Sequence, residues 1–278
     1  MPYWFFTSDL HGQTGLYEQL LAIAAADRPD AVIIGGDLGP HSPGEQGLAL
    51  QRVFLQGFLV EFARRLREAS AATELMLIMG NDDWAANADC LEVHHGELWH
   101  SLHGRAVEAH GVRVAGISWV PITPFKIKDW ERWEDGEPES PTRLDGLLSR
   151  GGRMLPHAFD PAVRQPTIAA ALDELAALSP PADTLLVAHT PPRDTLCDVL
   201  ASGAHVGSRA LRRHVERHQP PLVLSGHIHE SPRTTGTYRD TIGATPVVNP
   251  GQFGTSRLCG VWFDPRRPHD TLRHSVRG

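Results

Sequence analysis

Five short polar segments of the chain carry residue types that bind divalent metal ions, and each follows a run of apolar residues. Together they contribute four histidines, two aspartates and one asparagine, namely Asp9, His11, Asp37, Asn81, His189, His227 and His229. Imidazole, carboxylate and amide groups suit hard or borderline cations, and no thiolate belongs to the set. Seven such groups match the ligands of two divalent ions that share one carboxylate, an arrangement suited to attacking phosphate esters.

Each segment taken alone has an ordinary structural explanation. Asp37 and Asn81 follow glycines at the ends of apolar runs, where Asp and Asn are common turn residues. Asp9-x-His11 after a strand is most often a turn with a capping Asp. In an extended segment, however, two residues at this spacing point the same way, so both could reach one ion. The occurrence of five such segments in one chain favours a shared metal site over five unrelated turns.

The apolar runs before the first three segments are predicted to be buried parallel strands. In the first ninety residues, strands at 3–7, 31–34 and 75–79 alternate with helices at 15–26 and 48–69. Short continuous apolar runs separated by helices are typical of βαβ units whose sheet is covered on both faces. Because the carboxyl ends of parallel strands meet at one edge of a sheet, we expect the polar segments to converge there.

The rest of the chain contains a predicted hairpin, an irregular insert and a second α/β region. The predicted elements are hairpin strands at 103–109 and 112–119, helices at 167–178 and 208–218, strands at 184–188 and 222–224, and several short strands within 234–263. We therefore predict an α/β protein in which residues 1–278 form a single domain, with an irregular Trp-rich insert at about 120–165. An irregular stretch of that length usually forms a lid or a binding loop.

The charge and composition of the chain indicate which classes of binding partner to expect. The net charge of −7 argues against nucleic acid, whereas a small phosphorylated substrate is allowed because bound cations would reverse the local sign. The three cysteines are far apart and form no CxxC pair, which argues against a disulfide framework. The sequence begins with an apolar strand and contains no apolar run of the roughly 20 residues that span a bilayer, so we expect neither a leader segment nor a membrane span. We expect a cytoplasmic protein with no membrane partner, and a homodimer is allowed.

The ordered motifs resemble those of the calcineurin-like metallophosphoesterase superfamily. That set is Asp-x-His, Gly-Asp, Gly-Asn, His and Gly-His-x-His, and here it extends over residues 9–229. Further segments at 189–192, 203–208, 226–230 and 248–251 resemble the Icc-related branch of predicted phosphoesterases. The resemblance implies a four-layer sandwich in which two mixed β-sheets are flanked by helices.

The resemblance also implies how the ligands divide between two ions. One ion would be bound by Asp9, His11 and His229, the other by Asn81, His189 and His227, and Asp37 would bridge both. The nucleophile would be a hydroxide held between the ions, because divalent cations lower the pKa of bound water. Mn, Fe or Zn would suit these ligands, and Mg is also allowed.

One position departs from the family pattern. Many members carry a histidine directly after the Gly-Asn, where it contacts the substrate or protonates the leaving group, and here that residue is Asp82. An ionised carboxylate would repel phosphate. Two hypotheses remain open: Asp82 has a raised pKa and donates a proton, or His41, four residues after the bridging Asp37, takes over that role.

The insert allows two interpretations. Trp119, Trp130 and Trp133, with Lys126 and Lys128, could close over a substrate by stacking on a nucleobase and contacting phosphate. Alternatively, the insert is a surface elaboration whose tryptophans pack on the sheet.

The sequence therefore predicts a dinuclear metal-dependent phosphohydrolase that cleaves phosphodiesters or phosphomonoesters, with diesters slightly favoured. Two alternatives stay open. One is a metal-dependent nuclease of the same superfamily, which the net charge of −7 disfavours. The other is a non-catalytic scaffold that retains the fold, which the complete set of seven ligand positions disfavours.

Overall fold

Two six-stranded mixed sheets form the centre of the protein, whose computed structural model describes residues 3–42, 44–136, 140–252 and 256–276. The strands of the described residues are β1 Trp4–Thr7, β2 Ala31–Gly35, β3 Glu74–Ile78, β4 His100–Ser101, β5 Arg105–Ala109, β6 Val112–Ile117, β7 Val120–Pro121, β8 Glu131–Arg132, β9 Asp145–Arg150, β10 Arg153–Ala158, β11 Thr184–Ala188, β12 Val223–Leu224, β13 Arg239–Ile242, β14 Thr245–Val248, β15 Val261–Phe263 and β16 Arg273–His274. The first sheet has the order β16-β15-β1-β2-β3-β4, and the second has the order β13-β14-β12-β11-β6-β5. Four neighbouring strands are parallel in each sheet, β1 to β4 in the first and β14, β12, β11 and β6 in the second.

Helices cover the outer faces of both sheets. The α-helices of the described residues are α1 Thr14–Asp27, α2 Gly44–Phe54, α3 Val60–Ala69, α4 Asp89–Glu92, α5 Ile168–Leu178, α6 Arg209–His218, α7 Ser231–Thr235 and α8 Pro268–Thr271. Of these, α1 and α3 pack on the first sheet, and α5 and α6 pack on the second. A π-helical turn at Leu55–Leu59 joins α2 to α3, and 3-10 turns lie at Ala85–Asn87 and Pro181–Asp183. None of the helices in the described part of the chain is long and apolar enough to cross a membrane.

The buried residues form three apolar layers, and successive side chains of a strand point into different layers. In β1, Trp4 and Phe6 face the second sheet, whereas Phe5 packs among residues of α1 and α3. In β11, Val187 faces the first sheet and Leu186 packs among residues of α5 and α6. This alternation follows from the two-residue period of a strand, and both faces of each sheet are buried. The predicted four-layer sandwich is confirmed.

Several predicted elements need correction. The helix predicted at 48–69 begins at Gly44 and contains the π-helical turn, and the region predicted as strands from 234 begins inside α7. The insert is not irregular throughout, because β9 and β10 pair as an antiparallel hairpin and β7 pairs with β8. The residues of these strands alternate only weakly between apolar and polar types, so their sequence pattern could not be distinguished from that of a loop.

The tryptophans of the insert pack against the protein. Trp130 is 5% exposed and Trp133 is 1% exposed, while the guanidinium of Arg132 lies 3.5 Å above the ring of Trp119. Lys128 is 1% exposed and forms a buried ion pair with Glu131 at 2.8 Å. The burial of Trp130, Trp133 and Lys128 favours the alternative interpretation, a packed elaboration, for these three residues.

Candidate metal centre

The seven predicted ligand residues meet at the carboxyl ends of strands from both sheets. Those of the first sheet follow β1, β2 and β3, and those of the second follow β11 and β12. The loops are tied together by the backbone: Asp9 N donates to Gly36 O at 3.0 Å, and Gly226 N donates to His189 O at 3.0 Å. Across the sheets, His227 N donates to Asp9 Oδ1 at 3.0 Å. The facing parallel strands thus bring together residues that are far apart in the chain.

Donor atoms of these residues form three overlapping groups. In each group the atoms lie within 4.8 Å of one another. Five predicted ligands take part, together with Asp82, and the groups are Asp9, His11 and His229; Asp9, Asp37 and His189; and His11, Asp37 and Asp82. Asp37 Oδ2 lies 3.7 Å from His11 Nε2 on one side and 3.4 Å from His189 Nε2 on the other. The Asp and His side chains are therefore positioned for a metal site, and Asp37 belongs to two of the three groups.

The remaining predicted ligands adjoin His189. Asn81 Oδ1 lies 3.1 Å from His189 Nε2, and the ring of His227 has its centroid 5.2 Å from that of His189. On the other side of Asp37, the rings of His11 and His229 are 5.7 Å apart. These contacts place all seven residues in one cluster around the ends of the strands.

Four of the predicted ligands have a left-handed backbone. The φ angles are 60° at Asp9, 46° at His11, 53° at Asp37 and 63° at His227. Residues other than glycine adopt this region rarely, at a cost of roughly 1–2 kcal/mol each. Strained conformations persist where the surrounding structure fixes them, and they concentrate at functional sites. Half of the eight such residues in the described part of the chain belong to this site.

Glycines let the loops approach closely enough for the ligands to meet. A methyl group on Gly226 would overlap with Ser8 Oγ and Asp9 Oδ2. A methyl group on Gly80 would overlap with Asp37 Oδ1 and would lie 2.6 Å from His189 Cε1. These glycines are required because no side chain fits between the ligands.

Replacing Gly80 by Ala is expected to weaken metal binding at least about tenfold, because the new methyl group must push Asp37 or His189 away. Isothermal titration with Mn²⁺ measures this change. Gly15→Ala is the matched control, since nothing lies within 4 Å of a methyl group there and Ala favours the α1 helix. Equal Mn²⁺ affinities for the two variants would contradict the close-packing argument.

Asp37 and the histidines beside it shift one another's pKa values. Burial disfavours the charged form of His189, but the charge and hydrogen bond of Asp37, helped by Asp9, raise the pKa of His189 to about 9. Burial alone would raise the pKa of Asp37, yet the imidazoles of His189 and His11 hold it well below its usual range. Asp37 is thus a buried, ionised carboxylate that interacts with two imidazoles, and such an environment suits a cation.

Asp82 and His41, the two predicted proton donors, lie next to each other, and Asp82 lies beside His11. His41 Nδ1 is 3.4 Å from Asp82 Oδ1, and Asp82 Oδ2 is 3.7 Å from His11 Nδ1. Burial and the neighbouring charge of Asp37 raise the pKa of Asp82 to about 7, whereas bound cations would lower it. Asn81 Nδ2 donates to Asp82 Oδ1 at 3.0 Å, which leaves the amide oxygen of Asn81 directed at His189.

Asp83 is a site residue that the sequence analysis missed. Its carboxylate is fully buried and accepts backbone N–H groups from Leu38 at 3.0 Å, Gly39 at 3.0 Å and Gly80 at 2.9 Å. It thereby joins the loop of Asp37 to the loop of Asn81. The only sequence signal was a second acid after Gly-Asn, which is indistinguishable from an ordinary turn residue.

Asn249 holds the histidine loop of the second sheet in a similar way. Its Nδ2 donates to Gly226 O at 3.2 Å and Ile228 O at 3.0 Å, the carbonyls that alternate with His227 and His229. Asn249 lies in the 248–251 segment, which the sequence analysis used only for its resemblance to a family branch. Its partners are more than twenty residues away, so its role was not visible in the sequence.

A cleft of about 750 Å³ opens over the centre. Its floor includes His11, Asp37, Asn81, His227 and His229. Its walls come from residues 121–125 of the insert and from the loop between β11 and α6. A cleft of this volume is in the usual range for small-molecule sites.

Comparison with known proteins identifies the family. The sequence model of the calcineurin-like phosphoesterases matches residues 5–231, which include every predicted ligand. The chain therefore belongs to the calcineurin-like phosphoesterase family. Among curated proteins, none matches the chain significantly.

Solved structures share the fold along the whole chain. One crystal structure has 15% sequence identity and a TM-score of 0.65, with 100% of this chain and 99% of its own covered. The structure of TT1561 from Thermus thermophilus has 22% identity and a TM-score of 0.60, with coverages of 99% and 98%. At these identities the likeness establishes the fold and not the activity.

Proposed function

We propose that the protein is a dinuclear metal-dependent phosphohydrolase of small phosphoesters. The observation that carries the proposal is the position of Asp37, whose carboxylate lies between His11 and His189 at 3.7 and 3.4 Å. A carboxylate with nitrogen donors on both sides is suited to bridge two ions. Asp9, His11 and His229 would hold one ion, and Asn81, His189 and His227 the other.

The donor chemistry fits divalent cations of the Mn, Fe, Zn or Mg type, because it consists of imidazole, carboxylate and amide groups. When bound, two such ions supply a water of lowered pKa and positive charge for the phosphoryl oxygens. The protein's own part is to hold the donors rigidly through Asp83 and Asn249. The cleft above them orients the ester and excludes bulk water from one side.

We favour phosphodiesters over phosphomonoesters. The histidine that donates a proton in many relatives is replaced by Asp82, so a good leaving group matters at this site for either class of ester. A cleft of about 750 Å³ also has room for organic groups on both sides of a phosphate. The net charge of −7 favours a small substrate over nucleic acid.

The test is hydrolysis of a chromogenic phosphodiester beside the matching phosphomonoester, with Mn²⁺ added and Asp37→Asn measured in parallel. We expect Mn²⁺-dependent release of the chromophore, faster from the diester, and no release by the variant. Faster cleavage of the monoester would overturn the diester preference alone. No hydrolysis of either ester by a Mn²⁺-loaded protein would favour the scaffold alternative.

Asp82 and His41 are the proposed donors of a proton to the leaving group. We expect Asp82→Ala or His41→Ala to lower turnover at least about tenfold, since a general acid typically contributes about a hundredfold or more. The loss should be larger for an alkoxide leaving group than for p-nitrophenolate, which needs little protonation. If neither variant shows a tenfold loss on any ester, both hypotheses fail.

A further inference from the structure

The cleft is far larger than the phosphoryl group that the metal centre would hold, and two rigid walls define the additional space. One wall is the 121–125 segment of the insert, with Ile122 and Phe125. The opposite wall is the loop between β11 and α6, with Leu200 and Val206. Ile228, between His227 and His229, adds an apolar surface next to the metal centre.

The insert wall is held by a buried ion pair. Lys128 Nζ donates to Thr123 O at 2.6 Å and to Glu131 Oε2 at 2.8 Å, and both charged side chains are almost fully buried. Thr123 Oγ1 also bonds to Glu131 and accepts the N–H of Phe125 at 3.1 Å. Phe125 is nonetheless 55% exposed, so an aromatic ring is presented to the cleft from a fixed backbone.

The opposite wall is held by a buried carboxylate. Asp198 is fully buried and accepts N–H groups of Thr195 and Gly207, each at 2.9 Å. His205 Nδ1 lies 2.6 Å from the same side chain. Leu200 and Val206 are half-buried on the loop that these contacts fix.

Glu134 connects the two walls. This buried residue of the insert accepts Ser208 Oγ at 2.7 Å and the N–H groups of Arg209 at 2.9 Å and Ala210 at 3.0 Å. It therefore occupies the N-terminus of α6, which is not available to a phosphate. The distance between the walls is set before any ligand enters, and such preorganisation lowers the cost of binding.

We propose that the space between these walls is a subsite for an apolar group of the ester, of the size of a phenyl ring or larger. This proposal rests on the proposed function, because the phosphoryl group must sit at the metal centre for its apolar substituent to reach Phe125 and Leu200. Phe125 and Leu200 present carbon surface to this group. The charged groups Lys128, Glu131 and Asp198, which hold the walls, are buried and do not line the cleft. Arg193 and Arg209, which also line the cleft, add positive charge that suits an anionic ester.

The test is calorimetric binding of non-hydrolysable phosphonates to the Mn²⁺-loaded protein, so that no turnover is needed. Methylphosphonate reports the metal centre alone, phenylphosphonate adds a flat ring, and hexylphosphonate adds a flexible chain. We expect phenyl- or hexylphosphonate to bind at least about tenfold more tightly than methylphosphonate, the smallest gain expected for burying such a group. The tighter of these two identifies the apolar group as aromatic or aliphatic.

Phe125→Ala and Leu200→Ala should each reduce that gain to about threefold or less and leave methylphosphonate binding unchanged. Val163→Ala is the matched control, because Val163 is a 59% exposed apolar residue of the insert that does not line the cleft. Equal affinity of all three phosphonates for the wild type would overturn the subsite and leave the proposed function standing. Failure of every phosphonate to bind, with no ester hydrolysed, would overturn both.

Discussion

Replacing Asp37 by Asn is expected to lower phosphodiester turnover about a thousandfold or more, which corresponds to about 4 kcal/mol of transition-state stabilisation. Asn has the shape of Asp but lacks the negative charge that His11 and His189 share across 3.7 and 3.4 Å. Without that charge the two proposed ions would lose the anionic group between them. Turnover of a chromogenic diester at saturating Mn²⁺ measures the effect.

Asp264→Asn provides the matched control for this variant. Asp264 is also buried and accepts a backbone N–H, that of Arg266 at 2.9 Å, but it follows β15 outside the cleft. We expect its turnover to stay within about twofold of the wild type. Comparable losses in the two variants would mean that Asp37 acts through general stability.

Replacing Asp83 by Ala is expected to destabilise the metal-free protein by about 3 kcal/mol. Three buried N–H groups, those of Leu38, Gly39 and Gly80, would lose their acceptor, and each unsatisfied donor costs about 1–3 kcal/mol. Ionised Asp83 is itself costly to bury, because burial and the nearby charge of Asp37 raise its pKa to about 6, so the net loss is smaller than the sum. Urea unfolding of the metal-free protein measures the difference.

The same variant should weaken Mn²⁺ binding at least about tenfold, since the loops of Asp37 and Asn81 would no longer be joined. Asp83→Asn keeps one acceptor oxygen and should lie between the wild type and the Ala variant in both measurements. Asp89→Ala, which removes an exposed acid nearby, should change neither. Wild-type stability and affinity in Asp83→Ala would refute the joining role of Asp83.

The strand ends and their polar segments were predictable because both depend on local sequence. A buried parallel strand is a short apolar run, and ligands placed directly after it, such as His189, must lie at the sheet edge. The covering helices α1 and α5 were predictable for the same reason, as their apolar faces repeat at helical spacing.

Residues that act through distant partners could not be predicted. Asp83 bonds to Leu38, and Asn249 bonds to Cys197, so their roles depend on how loops from different strands meet. The sequence also did not predict which aromatic side chains of the insert are exposed: Trp133 is buried, whereas Phe125 lines the cleft. Aromatic content alone does not reveal which ring packs inside and which can contact a ligand.

The most direct test of the two-ion centre is the number of Mn²⁺ ions that each chain binds at equilibrium. Isothermal titration with Mn²⁺, supported by electron paramagnetic resonance of the loaded protein, gives both the stoichiometry and the coupling between neighbouring ions. We predict two ions per chain with a spin-coupled signal in the wild type, and at most one uncoupled ion in Asp37→Asn. A single uncoupled ion in the wild type, or two ions bound equally well by Asp37→Asn, would contradict the bridging role of Asp37.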